Sequence, residues 1–168
     1  MINVVILGDP KSGKTSLFHR LTKDQFYESY CQTISQSFGV YERYVFYDTC
    51  AVERFEYTTL PYLKIADAAI IVYVGEKNEQ ASKQTDKWEQ RLRSVNRRNI
   101  PILTVANKAD LGGPGISCKE DDVRSKLRPF LETLRPNPKI AMTWIQYLGL
   151  LFPTIESVTG QIPDCSVS

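Results

Sequence analysis

Residues 8–15 read GDPKSGKT, a glycine-bracketed segment that directly follows the short apolar run Ile2–Leu7. The spacing fits GxxxxGK[ST], and the apolar residues that follow this segment are spaced as on one face of a helix. Glycines let the backbone wrap closely around a polyphosphate, and the N-terminus of a helix adds positive charge there. The segment therefore predicts a strand–loop–helix unit that binds phosphates, with Lys14 at the β- and γ-phosphates and the Thr15 hydroxyl on Mg²⁺. The other predicted phosphate-binding residues of this unit are Lys11, Ser12, Gly13 and Ser16.

Residues 107–110, Asn-Lys-Ala-Asp, follow the apolar run at 102–106 and predict a base-reading loop. A carboxylate at Asp110 can accept hydrogen bonds from N1–H and the exocyclic amine of guanine, donors that adenine does not offer there. Asn107 belongs to the same predicted site, and Lys108 would stack its stem over the base plane. Open α/β sheets bind ligands at the carboxyl ends of their strands, where this loop is expected. The two motifs together indicate a guanine nucleotide.

Short apolar runs alternate with amphipathic segments along the chain, which predicts a three-layer α/β domain. The runs Ile2–Leu7, Ala68–Val74 and 102–106 are typical of strands buried on both faces of a parallel sheet. Ser37–Tyr41 and Tyr44–Asp48 predict a tight hairpin. Helices are predicted around Trp88, Leu92 and Val95, over 119–134 and from about Ile145, and a further short strand is predicted at 140–143.

Composition excludes several other classes of protein. A length of 168 residues is typical of one domain. A net charge of +2 does not indicate the concentrated basic surface that nucleic-acid binding needs. The apolar run Ala68–Val74 is far shorter than the ~20 residues of a membrane helix, and no secretory signal is expected. The single histidine, His19, leaves little room for zinc or triad chemistry. Four scattered cysteines are typical of reduced thiols, so a cytoplasmic protein is expected.

With both motifs present, the sequence resembles the Ras superfamily of small GTPases, and most closely the Rab family. The resemblance covers about residues 1–158, and a short tail over 159–168 follows. It is carried by the two motifs, by the spacing of aromatic and threonine residues after Lys14, and by residues 48–55, which look like the family's DTAGQERF. The resemblance implies a P-loop NTPase three-layer sandwich, whose six-stranded, mostly parallel sheet has one antiparallel strand.

The resemblance also implies roles for particular residues. Phe26 would lie edge-on over guanine, although without the family spacing a core-packing aromatic after the first helix is favoured. Thr33 would be a second hydroxyl ligand of Mg²⁺ and would sense the γ-phosphate, while Asp48 would hold Mg²⁺ through water. The family's third base contact, Ser-Ala-Lys, has its best positional match at Ala141 and Met142.

The second switch segment departs from the family at two positions. Ala51 replaces the glycine whose backbone N–H meets the γ-phosphate, and alanine does not reach positive φ cheaply. Val52 replaces the glutamine that orients the attacking water, and its isopropyl group forms no hydrogen bond. No catalytic residue is therefore assigned, and intrinsic GTP hydrolysis is expected to be weak.

Partners and location follow from the same resemblance. Effectors, exchange factors and GTPase-activating proteins would bind through the switch regions, and an activating protein can supply the missing groups in trans. The last four residues fit C-a-a-X with Cys165 as the lipidation candidate. Because no Lys or Arg follows Gly149, such an anchor would hold the chain only weakly at the cytoplasmic face of a membrane.

Three readings of the sequence differ in their chemistry. The first is a Rab-like GTP/GDP switch in membrane trafficking or signalling, with GTP or GDP and Mg²⁺ bound. The second is a non-hydrolysing nucleotide-binding scaffold, because Ala51 and Val52 would disable the reaction. The third is a P-loop ATPase or nucleoside kinase, against which Asp110 argues.

We predict very slow hydrolysis of GTP by the chain alone, because Val52 cannot position water. A thousandfold loss of positioning corresponds to about 4 kcal/mol of barrier. A single-turnover assay measures the rate with GTP bound and no partner added. Rates equal to those of glutamine-bearing relatives would contradict the prediction.

Overall fold

The computed structural model describes residues 1–28, 37–50, 56–75, 79–111, 115–120 and 122–136. Nine helices and strands and one turn of 3₁₀ helix are formed in this part of the chain. In order they are β1 (Ile2–Leu7), α1 (Lys14–Lys23), β2 (Ser37–Tyr41), β3 (Tyr44–Asp48), α2 (Glu56–Ile65), β4 (Ala68–Val74), α3 (Glu79–Val95), β5 (Ile102–Asn107), the 3₁₀ turn (Ala109–Leu111) and α4 (Val123–Thr133).

The five strands form one sheet in the order β2-β3-β1-β4-β5. β1, β3, β4 and β5 run parallel, while β2 pairs antiparallel with β3, with Tyr41 opposite Tyr44. The predicted hairpin and the mostly parallel sheet with one antiparallel strand are confirmed. The sixth strand, predicted at 140–143, and the helix predicted from Ile145 lie outside the described residues. Parallel pairing brings the ends of β1, β3 and β5, and therefore residues 8, 48 and 107, to the same edge of the sheet.

Helices cover both faces of the sheet, as the predicted three-layer domain requires. One core cluster joins α1 and α4 to the sheet, with Leu17, Phe46 and Leu127 all buried. The other joins α2 and α3 to the opposite face through Leu63, Trp88 and other apolar residues. The predicted apolar stripe of α3 is confirmed, because Trp88 and Leu92 are buried and Val95 packs against the same cluster.

Two helices differ from the sequence predictions. The sequence analysis predicts no helix at α2, which contains Pro61, a residue type that normally breaks a helix. α4 begins at Val123 rather than at the predicted residue 119. Residues 115–120 are instead tied to the end of β5: the Ala109 N–H donates to the Ile116 carbonyl over 3.0 Å, and the Ile116 N–H donates to the Ala106 carbonyl over 2.8 Å. No helix in the described residues is long and apolar enough to cross a membrane.

Asn96, just after α3, holds the carboxyl end of α2. Its side-chain Nδ2 donates to the carbonyl oxygens of Leu63 at 2.8 Å and Ala66 at 3.0 Å. Its Oδ1 accepts a hydrogen bond from the Arg98 N–H at 3.1 Å. Because Asn96 is only 3% exposed, water cannot replace these bonds if they are lost.

We expect Asn96→Ala to lower the free energy of unfolding by about 1–3 kcal/mol, because the Leu63 carbonyl loses its Asn96 donor and the Ala66 carbonyl keeps the Arg98 guanidinium but loses Asn96. Denaturant titration measures the change. The control is Ser94→Ala, on the exposed side of α3, for which a change within about 0.5 kcal/mol is expected. Equal effects of the two substitutions would contradict the role of Asn96.

Candidate nucleotide site

The loop between β1 and α1 requires glycine at residue 13. Gly13 has φ 92°, in the left-handed region that glycine favours, and it precedes the first residue of α1. A Cβ atom there would also collide with the side-chain amide of Asn107. The Gly13 carbonyl accepts the Leu17 N–H at 2.9 Å, so the helix begins directly at the loop. Backbone N–H groups at the start of α1 are therefore available to an anion.

Lys14 is the buried cation of this loop. The side chain donates from Nζ to the Asp9 carbonyl at 2.8 Å, and the residue is 6% exposed. Burial lowers the pKa of Lys14, and the nearby carboxylates of Asp48 and Asp9 oppose that shift. The Asp9 carboxylate is itself held by the indole Nε1 of Trp88 at 2.8 Å. The loop is thus fixed to α3 as well as to α1.

Asp48 and Thr15 meet beside Lys14. The Thr15 hydroxyl donates to Asp48 Oδ2 at 2.7 Å, whereas Oδ1 is buried and has no hydrogen-bond partner within the described residues. Burial raises the pKa of the Asp48 carboxyl, while the Thr15 hydrogen bond and the Lys14 charge oppose the rise. Hydroxyl and carboxylate oxygens are ligands that Mg²⁺ prefers, so this pair fits the ion. In the described segments no group of three or more His, Cys, Asp or Glu side chains could hold a metal by itself.

Asn107 joins the phosphate loop to the base loop. Its Nδ2 donates to the Ser12 carbonyl at 3.0 Å, and its Oδ1 accepts from the Cys118 thiol at 3.3 Å. Burial raises the pKa of Cys118 to about 12, so the thiol stays protonated and can donate. The structure thus brings together the two motifs that the sequence places 95 residues apart.

Asp110 is held by two side chains that sequence reasoning missed. Ser117 Oγ donates to Oδ1 at 3.0 Å, and Lys119 Nζ lies 3.0 Å from Oδ2. The hydrogen bonds from Lys119 and Ser117 lower the pKa of Asp110, so it is an anionic acceptor at neutral pH. The available signal was the tripeptide Ser-Cys-Lys at 117–119, one residue away from Ser-Ala-Lys.

The remaining predicted residues have varied surroundings. Lys11 is exposed and Ser16 is partly buried. Lys108 adopts φ 65°, a left-handed conformation that is uncommon for a residue with a side chain. Phe26 is partly buried and packs against the core cluster that α1 and α4 share. Several predicted positions lie outside the described residues: Thr33, Ala51, Val52, Ala141, Met142 and Cys165.

Two loops with the sequence motifs of phosphate binding and base binding meet at one edge of a sheet that has helices on both faces. This arrangement is typical of a nucleotide-binding α/β domain. Comparison with known proteins agrees. The family described as "Ras of Complex, Roc, domain of DAPkinase" matches residues 3–110. The chain is 35% identical to the Ras-related protein RABF2a of Arabidopsis thaliana over 141 residues, which cover 77% of this chain and 70% of that protein.

Two further relatives belong to the same group. The chain is 31% identical to human Ras-related protein Rab-7L1 over 143 residues, 77% of this chain and 70% of the relative. It is 32% identical to Rab-11C of Dictyostelium discoideum over 119 residues, 66% of this chain and 53% of the relative. The chain therefore belongs to the Ras superfamily of small GTPases and is Rab-like. This membership implies a guanine nucleotide as its ligand.

Proposed function

We propose that the chain binds GTP and GDP with Mg²⁺ and acts as a Rab-like switch in membrane trafficking or signalling. The observation that carries this proposal is the hydrogen bond from Asn107 Nδ2 to the Ser12 carbonyl at 3.0 Å. It fixes the loop of Lys14 and the loop of Asp110 against each other at the carboxyl edge of the sheet. One nucleotide can then be held at its phosphates and at its base by groups whose separation is fixed before binding.

The phosphate end is proposed to consist of the loop and the first turn of α1. The Lys14 ammonium is buried, and the nearby charges of Asp48 and Asp9 offset part of the cost of that burial. A polyphosphate would compensate this charge more fully, and it would accept hydrogen bonds from the N-terminal N–H groups of α1. We assign phosphate contacts to Lys11, Ser12, Gly13, Lys14, Thr15 and Ser16, with the backbone N–H of Ala51 at the γ-phosphate.

Thr15 and Asp48 are the residues proposed to hold Mg²⁺. The buried Asp48 Oδ1 faces no donor within the described residues, and a cation or its water shell would supply what it lacks. Thr33 is proposed as the second hydroxyl ligand on the strength of the family resemblance. When bound, Mg²⁺ neutralises charge on the β- and γ-phosphates.

The base end is proposed to depend on Asp110. The Asp110 carboxylate would accept hydrogen bonds from N1–H and the 2-amino group of guanine, while Lys108 and Phe26 flank the ring. For the third contact, we propose residues 117–119, because Ser117 and Lys119 already contact Asp110. The earlier candidates Ala141 and Met142 remain a prediction. The adenine ring of ATP would offer the Asp110 carboxylate neither of the two donors that guanine offers, which disfavours an ATPase or nucleoside kinase.

Partners are proposed to bind around the switch segments. Phe38 and Val40 on β2 and Tyr57 on α2 are all more than half exposed. Such residues favour docking of effector or regulator proteins. Similarity to Rab proteins does not favour the non-hydrolysing scaffold. Because Val52 cannot orient water, we propose that hydrolysis is slow without an activating partner. Weak membrane association through Cys165 is proposed from its C-a-a-X pattern.

The function is tested first by the nucleotide that co-purifies with the chain and by titration of GDP with Mg²⁺ present. We expect guanine nucleotide to co-purify, and we expect ATP to compete poorly against labelled GTP. A folded chain that is indifferent to GDP and GTP would overturn the proposal. Comparable binding of ATP would overturn its base-reading part and favour an ATPase or kinase instead.

We expect Asp110→Asn to weaken GDP binding by at least about 100-fold, because an amide nitrogen replaces one acceptor oxygen opposite guanine donors. Isothermal titration measures the change. The control is Asp122→Asn, an exposed acidic residue in front of α4, which should bind GDP like the unmodified chain. If both variants bind equally well, Asp110 does not read the base.

We expect Asp48→Asn to reduce the effect of Mg²⁺ on nucleotide release. Removal of the carboxylate charge weakens attraction for the cation, whereas the Thr15 hydroxyl can still donate to the amide oxygen. The measurement is the dissociation rate of fluorescent GDP with Mg²⁺ and with a chelator. In the unmodified chain chelation should accelerate release at least about tenfold, and in the variant by much less. An unchanged chelator effect in Asp48→Asn would refute the assignment.

A further inference from the structure

Arg20 reaches from α1 to the loop that contacts Asp110. Its Nε donates to the Cys118 carbonyl at 3.0 Å, and its Nη2 donates to the Lys119 carbonyl at 3.0 Å. The third arm, Nη1, donates to the Asp24 carbonyl at 3.1 Å, just beyond α1. The planar guanidinium can satisfy three acceptors at once, which a lysine ammonium on its single atom does less rigidly.

The two carbonyls belong to the backbone that presents Ser117 and Lys119. Ser117 Oγ and Lys119 Nζ contact opposite oxygens of the Asp110 carboxylate, each at 3.0 Å. The peptide groups that Arg20 holds come directly after Ser117, so a shift of this backbone would move both contacts. Arg20 does not contact Asp110 in these bonds and acts on it only through the loop.

Burial of the Arg20 side chain has a free-energy cost that stabilisation of the fold alone does not explain. The residue is only 6% exposed, and the Asp24 carboxylate beside it is 3.8 Å away and half exposed. Burial of a guanidinium carries a desolvation penalty, and apolar replacements of buried ionic groups are often neutral or stabilising. The carbonyl bonds offset this penalty while they fix the position of residues 118 and 119. A requirement for a fixed position of residues 118 and 119 would explain why a buried arginine is used here.

We propose that Arg20 is a positioning residue for guanine recognition. It fixes the 117–119 segment against α1, the helix whose first residues are Lys14 and Thr15. The base end and the phosphate end are thereby held in one frame, and the Asp110 carboxylate is oriented for two hydrogen bonds to guanine. This inference rests on the proposed function, in which Asp110 reads the base.

The experiment compares Arg20→Met, Arg20→Lys and the control Arg124→Met. Arg124 belongs to the same cluster: its Nε donates to the Leu21 carbonyl at 3.1 Å, and its Nη1 lies 3.5 Å from Asp24 Oδ2. None of these bonds reaches residues 117–119. GDP and IDP are titrated with Mg²⁺ present, because inosine lacks only the 2-amino group that Asp110 would accept. Thermal unfolding is recorded for each variant.

We expect Arg20→Met to weaken GDP binding about tenfold or more, as for loss of a charge-assisted hydrogen bond, and to weaken IDP binding less. The preference for GDP over IDP should therefore fall. Arg20→Lys should be intermediate, and it keeps the test available if the methionine variant does not fold. Arg124→Met should lower the melting temperature but leave the GDP/IDP preference unchanged, which separates positioning from stability.

Three results would contradict the inference, and they have different meanings. If the unmodified chain prefers GDP and Arg20→Met or Arg20→Lys weakens GDP and IDP equally, the positioning role of Arg20 is overturned and the proposed function stands. If the unmodified chain binds neither nucleotide, the proposed function fails and the inference falls with it. An equal loss of preference in Arg124→Met would also overturn the specific role of Arg20.

Discussion

The hydrogen bond between the Asn107 side chain and the Ser12 carbonyl is the contact on which the arrangement of the site depends. It is buried, and it joins residues 95 positions apart. Gly13 permits it, because any Cβ there would occupy the place of the Asn107 amide. The close approach and the positive φ at residue 13 thus have one cause: two strand ends must meet with their loops in contact. The backbone conformation of the two loops therefore sets the positions of the charged side chains in the site.

Charge at the proposed phosphate end is balanced only in part by the described residues. Burial opposes ionisation of Lys14 and of Asp48, as their shifted pKa values record. Each stabilises the other's charged form by proximity, but Asp48 Oδ1 still has no partner in the described part of the chain. Such partial balance is typical of sites that bind charged ligands, because a fully neutralised cluster has less to gain from an added anion or cation. In the proposed function, a bound polyphosphate with its cation would complete this balance.

The sequence predicted the strands well because their signals are local. The buried strands are continuous apolar runs, and the hairpin has only Glu42 and Arg43 between two aromatic segments. α2 escaped prediction because Pro61 lies within it, and its stability comes from contacts such as those of Asn96, which no local pattern reveals. Lys14, Thr15, Asn107 and Asp110 were found by spacing. Arg20 was not, since its function depends on partners 98 and 99 residues away.

The Asp110 loop shows how a short connection can complete a base site. Ser117 lies only seven residues after Asp110, yet Ile116 already pairs in parallel with Asn107 at the end of β5. This return requires Gly115, whose φ is 128° and which lies so close to the Ala106 carbonyl that a Cβ would collide with it. The chain thus pairs again with the end of β5 at Ile116. Ser117 and Lys119, which precede α4, therefore contact the two oxygens of the Asp110 carboxylate. In the proposed function, base recognition would therefore be built into the edge of the sheet, with the loop held against α1 by Arg20.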